Sequence, residues 1–537
     1  MPPPAHPPTS RAARCRLSRA CAALLLAGAC TGDDDGERGR DAAAAPARDA
    51  AADAAGAGGQ VAPTPPEVLA HLEDWPLPNR DYENTRASFD AEITSANVEQ
   101  LHEVWRLPFE QSSLYGAVTS NPLVIGDAVY VQDMLSRVYV VERASGALRW
   151  AQGGGAGTPG PNGVAVGWGK VFASVGDTAI AALDLDNGRE LWRFEPQLVK
   201  SEGIDIQPTV YGGSVFVSTV PGSLRGLYLG GSRGVLFALD QHDGSTRWSF
   251  DTVDSEDLWG DADGNSGGGA WYPPLVDTER GMTYWGTGNP GPWPSPDNGS
   301  NRPGPNLYTN SVVALSSDDG ELAWYHQERP HDLFDWDFQN APMRVRPSIE
   351  SGERDLVIGS GKTGTVVALD AVTGELVWRA RVGRHENADV EELPEGEAIT
   401  MYPGALGGVL TATAYADGVV YVPVVDLATT YTGSASPALA LEDGTGALTA
   451  LSVIDGRTLW SVPLDAPCYG AATVVNDLVI TADFAGAVLA LSREDGTEVW
   501  RYEAPGGINA PLAVAGNLLL VPVGLGTEAS LIALEVD

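Results

Sequence analysis

From about residue 73 to the C-terminus, short apolar runs alternate with clusters of Asp, Asn, Ser and Gly. One unit recurs: a β-branched or Leu-rich run ending in Ala-Leu or a similar pair, a few polar residues, a Gly, then three residues and Trp. The copies are VYVVERASGALRW ending at Trp150, IAALDLDNGRELW at Trp192, LFALDQHDGSTRW at Trp248 and VVALSSDDGELAW at Trp324. VVALDAVTGELVW ends at Trp378, LTALSVIDGRTLW at Trp460 and VLALSREDGTEVW at Trp500. Each reads as a strand, a tight turn in which Gly supplies positive φ, and a second strand whose Trp is large enough to wedge between neighbouring sheets. VEQLHEVW at Trp105 supplies only the final half, and LIALEVD at the C-terminus supplies the missing first half.

The Trp-to-Trp separations are 45, 42, 56, 76, 54, 82 and 40 residues. A minimum near 40 matches a four-stranded propeller blade, with the excess as insertions. Eight Trp therefore predict an all-β, eight-bladed β-propeller, closed by pairing of the N- and C-terminal strands so that no edge strand is left exposed. These eight are assigned to packing between blades. Trp75, Trp168, Trp259, Trp271, Trp285, Trp293 and Trp336 lie outside the repeat, and four of them fall between 259 and 293, inside the 76-residue interval. Surplus sequence there forms loops over one end of the ring, where a rigid scaffold carries its chemistry.

Composition narrows the function. With 64 Gly and 38 Pro in 537 residues, many short strands are favoured over long helices. The 33 Lys+Arg against 71 Asp+Glu give a net charge of −38, which excludes a basic, phosphate-tracking nucleic-acid binder. Of the four cysteines, Cys15, Cys21 and Cys30 fall in an N-terminal segment and only Cys468 lies beyond it, so no intrachain disulfide framework is left. Arg11, Arg14, Arg16 and Arg19 precede an apolar run from Ala20 to Ala29, far short of the roughly 20 residues that cross a bilayer. Residues 1–29 read as a signal peptide of lipoprotein type. Leu26-Ala27-Gly28-Ala29-Cys30 resembles a bacterial lipobox in which Cys30 takes the lipid; ordinary secretion after a small residue and an uncleaved cytosolic start are the alternatives. Either of the first two places the protein in the periplasm or cell envelope, touching a membrane only through a lipid anchor. Residues 30–72, rich in Ala, Asp, Gly and Pro, read as a disordered tether. The propeller is expected over 73–537.

The repeat is similar to the tryptophan-docking motif of the pyrroloquinoline quinone (PQQ) dehydrogenases and of PQQ-like repeat proteins, and DYENTRASFDAEITSANVEQLHEVW resembles the segment that opens the quinoprotein alcohol dehydrogenase propeller. GTGNPGPW at 286–293, followed by RPGPNLYTNSVVAL, resembles the loop whose Asn binds the catalytic metal, which points to Asn289. HDLFDWD at 331–337 resembles the stretch carrying the catalytic base, which points to Asp335. GSGKTGTVVALD at 359–370 resembles the strand whose Lys or Arg touches the quinone, here Lys362, and SGGGAW at 266–271 resembles the floor on which the cofactor stacks, here Trp271. The resemblance implies PQQ, a calcium or lanthanide ion held by Asn289, Asp335 and Asp337, an alcohol or polyol substrate, and an external electron acceptor such as a cytochrome. In the family, an acid at the place of Asp337 marks lanthanide-using members. The chemistry is consistent: alcohol oxidation by a quinone needs a base, an electron-pair acceptor and a cation that polarises the quinone carbonyl.

The chain also departs from the family pattern. Leu229 stands where the metal-binding Glu is expected, and leucine cannot ligate a cation; the replacement is a neighbouring acid such as Asp261 or Asp263, a water, or nothing. Gly153 to Asn162 contains no Cys, so the adjacent-cysteine cap is missing, and PGALGGVLTATAYADG at 403–418 lacks the family's Trp and Asn. No Cys-x-x-Cys-His is present, so electrons leave to a separate acceptor. His331 is assigned a structural role, because the seven His give no zinc-ligand spacing. A second reading follows: a non-catalytic envelope scaffold, like the lipoprotein of the outer-membrane assembly machinery. In it Asn289, Asp335 and Asp337 are turn residues, Trp271 is packing and Lys362 is a surface lysine. GTGNPGPW, HDLFDWD and the intervals of 76 and 82 residues favour a site-bearing protein.

Overall fold

Each repeat copy folds as the last two strands of a blade; among the described residues there are eight blades, seven of them four-stranded antiparallel sheets and the seventh in order extended by Ala87–Ser88, which pairs parallel with Thr473–Val475. The computed structural model describes residues 63–537 apart from 111–114, 350–351, 395, 434–436 and 438–440. Blade 1 comprises Leu123–Ile125, Ala128–Gln132, Arg137–Glu142 and Leu148–Gly153. Blades 2 to 7 follow in chain order, their last strands being Glu190–Phe194, Thr246–Asp251, Leu322–Gln327, Leu376–Arg381, Thr458–Leu464 and Glu498–Glu503. Blade 8 takes Ala513–Ala515, Leu518–Val523 and Ser530–Glu535 from the C-terminus and its outer strand, His102–Pro108, from near the start. His102 pairs with Glu535 and Pro108 with Ser530, which is the expected ring closure.

Seven of the repeat tryptophans donate Nε1 to a backbone carbonyl of the next blade, from Trp105 to Arg143 at 2.8 Å through Trp460 to Arg493 at 3.2 Å. The same rings lie against that blade's turn glycine. A methyl group on Gly146 would stand 2.7 Å from Trp105, and on Gly374 it would stand 2.6 Å from Trp324. The Gly and the Trp of one copy are therefore partners in different contacts: the Gly receives the preceding blade's Trp. These glycines also have φ between 65° and 76°, so the position demands Gly twice over. Blade 8 ends without such a turn, and Trp500 instead stacks on Tyr502, with ring centroids 6.1 Å apart.

Antiparallel order decides where a site can form. The turns joining strands 1 and 2, and strands 3 and 4, leave one face of the ring; the 2–3 loops and the connections between blades leave the other. The long insertions all belong to the second set: residues 287–310 in blade 4, 427–444 in blade 6, and the connections 252–274, 328–342 and 382–413.

The fold begins earlier than residue 73. Pro66–Leu69 forms a helical turn that buries Val68 in a cluster with Phe172 and Val210, and the Glu67 carboxylate accepts the N–H groups of Trp168 and Gly169. Apolar side chains too sparse to signal order in the sequence are enough once a blade edge receives them. Cys30, the signal peptide and the tether up to residue 62 lie outside the described residues. Arg86 ties the opening segment to the ring. Fully buried, it donates to Asn79, Asn121, Thr473 and the carbonyls of Ala472 and Leu512 at 2.7–3.0 Å.

Candidate functional site

The turn 331–337 is built around Asp332. Its carboxylate accepts the backbone N–H of Phe334 at 2.9 Å and of Trp336 at 2.7 Å, and the side-chain amide of Asn310 at 3.2 Å. Trp336 Nε1 donates to the Pro403 carbonyl and Tyr431 to the Phe334 carbonyl, so the turn is held from three sides. Asp335 is forced to φ 64°, a left-handed conformation uncommon for a residue with a side chain and characteristic of functional positions.

Lys362, in the 2–3 loop of blade 5, reaches the two acids of that turn. Its ammonium lies 2.9 Å from Asp335 Oδ1 and 2.5 Å from Asp337 Oδ2, and its backbone N–H donates to the Asp337 carbonyl at 2.8 Å. Asn289, from the 2–3 loop of blade 4, donates its backbone N–H to Asp337 Oδ1 at 2.6 Å. All four residues are buried. Burial, with the neighbouring Asp337, pushes the Asp335 carboxyl well above the usual carboxylate range, and Lys362 opposes that rise. Burial alone would lower the Lys362 ammonium; the two carboxylates outweigh it and keep the lysine charged.

Trp271 joins this group through Gly288. A methyl on Gly288 would stand 3.0 Å from Asp337 Oδ1 and 3.1 Å from Trp271 Nε1. Two more glycines wall the indole rim: a methyl on Gly160 would stand 2.7 Å from Cζ3, and on Gly222 2.8 Å from Cη2. The indole is thus fixed in its plane by backbone that approaches only because side chains are absent. It remains half-buried, which fits a floor for a flat ligand. The cysteine-free stretch 153–162 touches it through Gly160. The loop after Pro403 lies on Lys362, where Val409 N–H donates to the Gly361 carbonyl at 3.0 Å, and Tyr272 and Tyr469 donate to the carbonyls of Leu410 and Leu406.

Asn289, Asp335, Asp337, Lys362 and Trp271 are therefore brought together. The donor set is amide and carboxylate oxygen only, the chemistry of a hard cation, with two carboxylates contributing. The expected third position is different from the sequence reading. Leu229 is 44% exposed, its N–H donating to Ser201 Oγ, and Tyr228 beside it is the residue that meets the site, its hydroxyl donating to Asn289 Oδ1. A one-residue shift in a hairpin exchanges the side chain on the site for one in solvent. Tyr228 is kept a neutral phenol by burial and then by Asp337, Asp335 and Asp332. Asp261 and Asp263 do not join the site. Asp261 accepts the N–H of Gly264, and Asp263 is fully exposed beside Lys200. His331 contacts backbone carbonyls of Gly304 and Asn298. Among the described residues, the triad His71, Glu73 and Asp74 also gathers metal-type ligands, but Asp74 is engaged by Arg143 and the Gly126 N–H.

Sequence reading missed Tyr228 and Asp332. Asp332 carries a readable signal, an Asp four residues before Trp336 at the start of a tight turn; Tyr228 carries none, because only the hairpin's register exposes it.

Two family models match the chain. One, described as glucose/ethanol/alcohol dehydrogenase, beta-propeller domain, matches residues 75–164 and 202–392, more than half of the chain. The other, described as outer membrane protein assembly factor BamB, matches 136–260, 308–478 and 427–535. Quinohemoprotein alcohol dehydrogenase ADH IIB of Pseudomonas putida is 26% identical over 497 residues, covering 81% of this chain and 71% of that protein. The lanthanide-dependent methanol dehydrogenase of Methylacidiphilum fumariolicum is 24% identical over 516 residues, covering 81% of each. The crystal structure of quinohemoprotein alcohol dehydrogenase from Comamonas testosteroni is similar with a TM-score of 0.75 at 22% identity, over 86% of this chain and 80% of that one, a likeness of fold.

Proposed function

The chain belongs to the glucose/ethanol/alcohol dehydrogenase β-propeller family, and from that premise we propose that it is a PQQ-dependent oxidoreductase acting on an alcohol or polyol. The observation that carries this reading is the buried Asp335–Lys362–Asp337–Asn289 group beside Trp271, whose rim is walled by glycines. PQQ, when bound, supplies the acceptor for the electron pair of the substrate, and a calcium or lanthanide ion polarises it. Asp335 is the base for the substrate hydroxyl. Its proton affinity, raised above that of an ordinary carboxylate by burial, suits a base that takes up a proton, and its left-handed turn fixes where the carboxyl points. Lys362 holds that carboxyl in place and balances charge on the bound cofactor. Trp271 provides the stacking surface, and Asn289, Asp335 and Asp337 supply the cation's oxygens, the second carboxylate favouring a trivalent ion.

The likeness to alcohol dehydrogenases supports electron transfer to an acceptor such as a cytochrome. The lipobox-like run ending at Cys30 supports an exported, lipid-tethered enzyme of the periplasm or envelope. The match to the assembly-factor model favours a second reading, a scaffold that binds an envelope partner. The test is dye-linked oxidation of a panel of alcohols by the chain reconstituted with PQQ and either calcium or lanthanum. Alcohol-dependent dye reduction that falls at least about 100-fold in Asp335→Ala supports the enzyme. No reduction with any alcohol or metal rejects it in favour of the scaffold.

A further inference from the structure

The hairpin that places Tyr228 at the site carries three leucines in solvent. Gly222–Ser223 pairs with Gly226–Leu227 in the 2–3 loop of blade 3, on the same face of the ring as the site. Leu224 is 62% exposed, Leu227 50% and Leu229 44%, and Val199, also exposed, lies in the connection that leads into blade 3. That connection is tied to the hairpin: Ser201 Oγ accepts the Leu229 N–H at 2.9 Å, and the Glu202 carbonyl accepts the Arg225 guanidinium at 2.7 Å. The Leu224 N–H donates to Asp177 and the Tyr228 N–H to the Pro221 carbonyl, both at 2.7 Å, so the leucines are presented on a fixed backbone.

Exposed apolar side chains gathered on one element mark a contact surface. Position and charge say what covers this one. A methyl on Gly222 would stand 2.8 Å from Trp271 Cη2 and 3.0 Å from Leu227 Cδ2, and Tyr228 reaches Asn289, so the patch and the site share a wall. Beside it the stretch 251–263 holds six acids, Asp251, Asp254, Glu256, Asp257, Asp261 and Asp263. This stretch is joined to the end of the hairpin where the Gly231 N–H donates to the Asn265 carbonyl at 2.7 Å. The nearby cations are fewer: Arg233 is paired with Asp251, Lys200 lies beside Asp263, and Arg225 is exposed. An apolar centre with an acidic margin, on a chain of net charge −38, is complementary to a basic partner.

We propose that this patch is the docking surface of the electron acceptor, and that the acceptor is a small, basic, one-electron redox protein whose prosthetic group opens on an apolar surface ringed by lysines. The proposal rests on the reading of the chain as a PQQ-dependent oxidoreductase. Oxidising an alcohol to an aldehyde or ketone releases two electrons and two protons. The protons pass to solvent, and a one-electron acceptor docks twice per turnover. A small apolar centre lets each acceptor leave quickly, and attraction to the acids raises the rate of encounter.

The experiment follows reduction of heart-muscle cytochrome c, a small basic haem protein, by the chain reconstituted with PQQ and calcium or lanthanum and supplied with an alcohol that supports dye reduction. Leu224→Gln with Leu229→Gln should slow cytochrome reduction about tenfold and leave dye reduction within about twofold of the parent. With the parent, the cytochrome rate should fall about tenfold between about 20 and about 200 mM salt. Asp254→Asn with Glu256→Gln should flatten that dependence, and cytochrome succinylated on its lysines should react at least about tenfold more slowly. A leucine variant that reduces cytochrome as fast as the parent overturns the proposal, as does a parent that reduces the dye but not the cytochrome. A parent that sediments as a dimer broken by the leucine substitutions assigns the patch to a second copy. One that floats with phosphatidylglycerol vesicles through the same leucines assigns it to a membrane, and either result overturns the proposal as well. Absence of dye reduction with any alcohol is a separate result: it removes the PQQ reading and this docking surface with it.

Discussion

The hydroxyl of Tyr228 donates to Oδ1 of Asn289, the residue whose backbone N–H holds Asp337. A phenol thus competes with a cation for the amide oxygen, and it adds no negative charge of its own. Tyr228→Phe should free that oxygen and raise cation affinity a few-fold, and Tyr228→Glu, which adds a carboxylate, should raise it further. Terbium luminescence excited through the site's tryptophans measures this directly. Equal terbium affinity in all three proteins would remove Tyr228 from the cation site.

Lys362 is the cation resident between two buried acids, so Lys362→Met leaves both unpaired. We expect a loss of about 3 kcal/mol or more in unfolding free energy, read by denaturant titration. The pH dependence follows from Asp335. Its folded proton affinity is above its unfolded one, so the stability this group contributes is fully present at low pH and is lost as pH rises through its folded titration. With Asp335 as the proposed base, activity rises over that same limb. Removing Lys362 takes away the influence that lowers Asp335 and should move the limb to higher pH; Lys362→Arg should leave it near the parent. An unmoved limb in Lys362→Met would show that another group titrates.

The docking of each Trp on the next blade's Gly makes unequal predictions for equal substitutions. Trp324 is buried against Gly374, while Trp500 is only partly buried and stacks on its own strand. Trp324→Ala should cost about 3–5 kcal/mol and Trp500→Ala roughly half as much or less, measured by denaturant unfolding. Gly374→Val should be as harmful as losing the Trp, through both the clash at 2.6 Å and the positive φ of 73°.

Arg86 satisfies its donors from blades 1, 7 and 8, with no carboxylate in contact among the described residues. Arg86→Leu strands the carbonyls of Ala472 and Leu512, and Arg86→Lys cannot reach all of the acceptors with one ammonium. Both should lower the melting temperature and speed hydrogen exchange at the inner strand of blade 7, Thr473–Val475. Protection unchanged from the parent would show that the opening segment is held by other contacts.

Much of the fold was legible because the repeat is written in residues with one job each. Gly at positive φ and Trp at a fixed offset recur seven times, and LIALEVD with VEQLHEVW announced the closure that His102–Pro108 and Ser530–Glu535 make. What the pattern concealed was partnership, since the Trp of one copy serves the Gly of the next. Asn289, Asp335, Asp337, Lys362 and Trp271 were legible through motifs confined to single loops. Tyr228 was not. Its place beside Asn289 comes from hairpin register, and a Tyr beside a Leu carries no such information along the chain. The early start of the fold was hidden for a related reason: of Val68, Leu69 and Leu72 only Val68 is buried, and it is covered by Phe172 and Val210 from distant parts of the chain.

As one cofactor site, the Trp271 floor and the Asp335–Lys362 pair should bind PQQ together. The decisive measurement is calorimetric titration of PQQ into the purified chain, with calcium and separately with lanthanum, alongside Trp271→Ala. Saturable binding of one equivalent is expected, strengthening with the cation and weakening at least about 100-fold in Trp271→Ala. No saturable heat with either metal, or binding indifferent to Trp271, would contradict it.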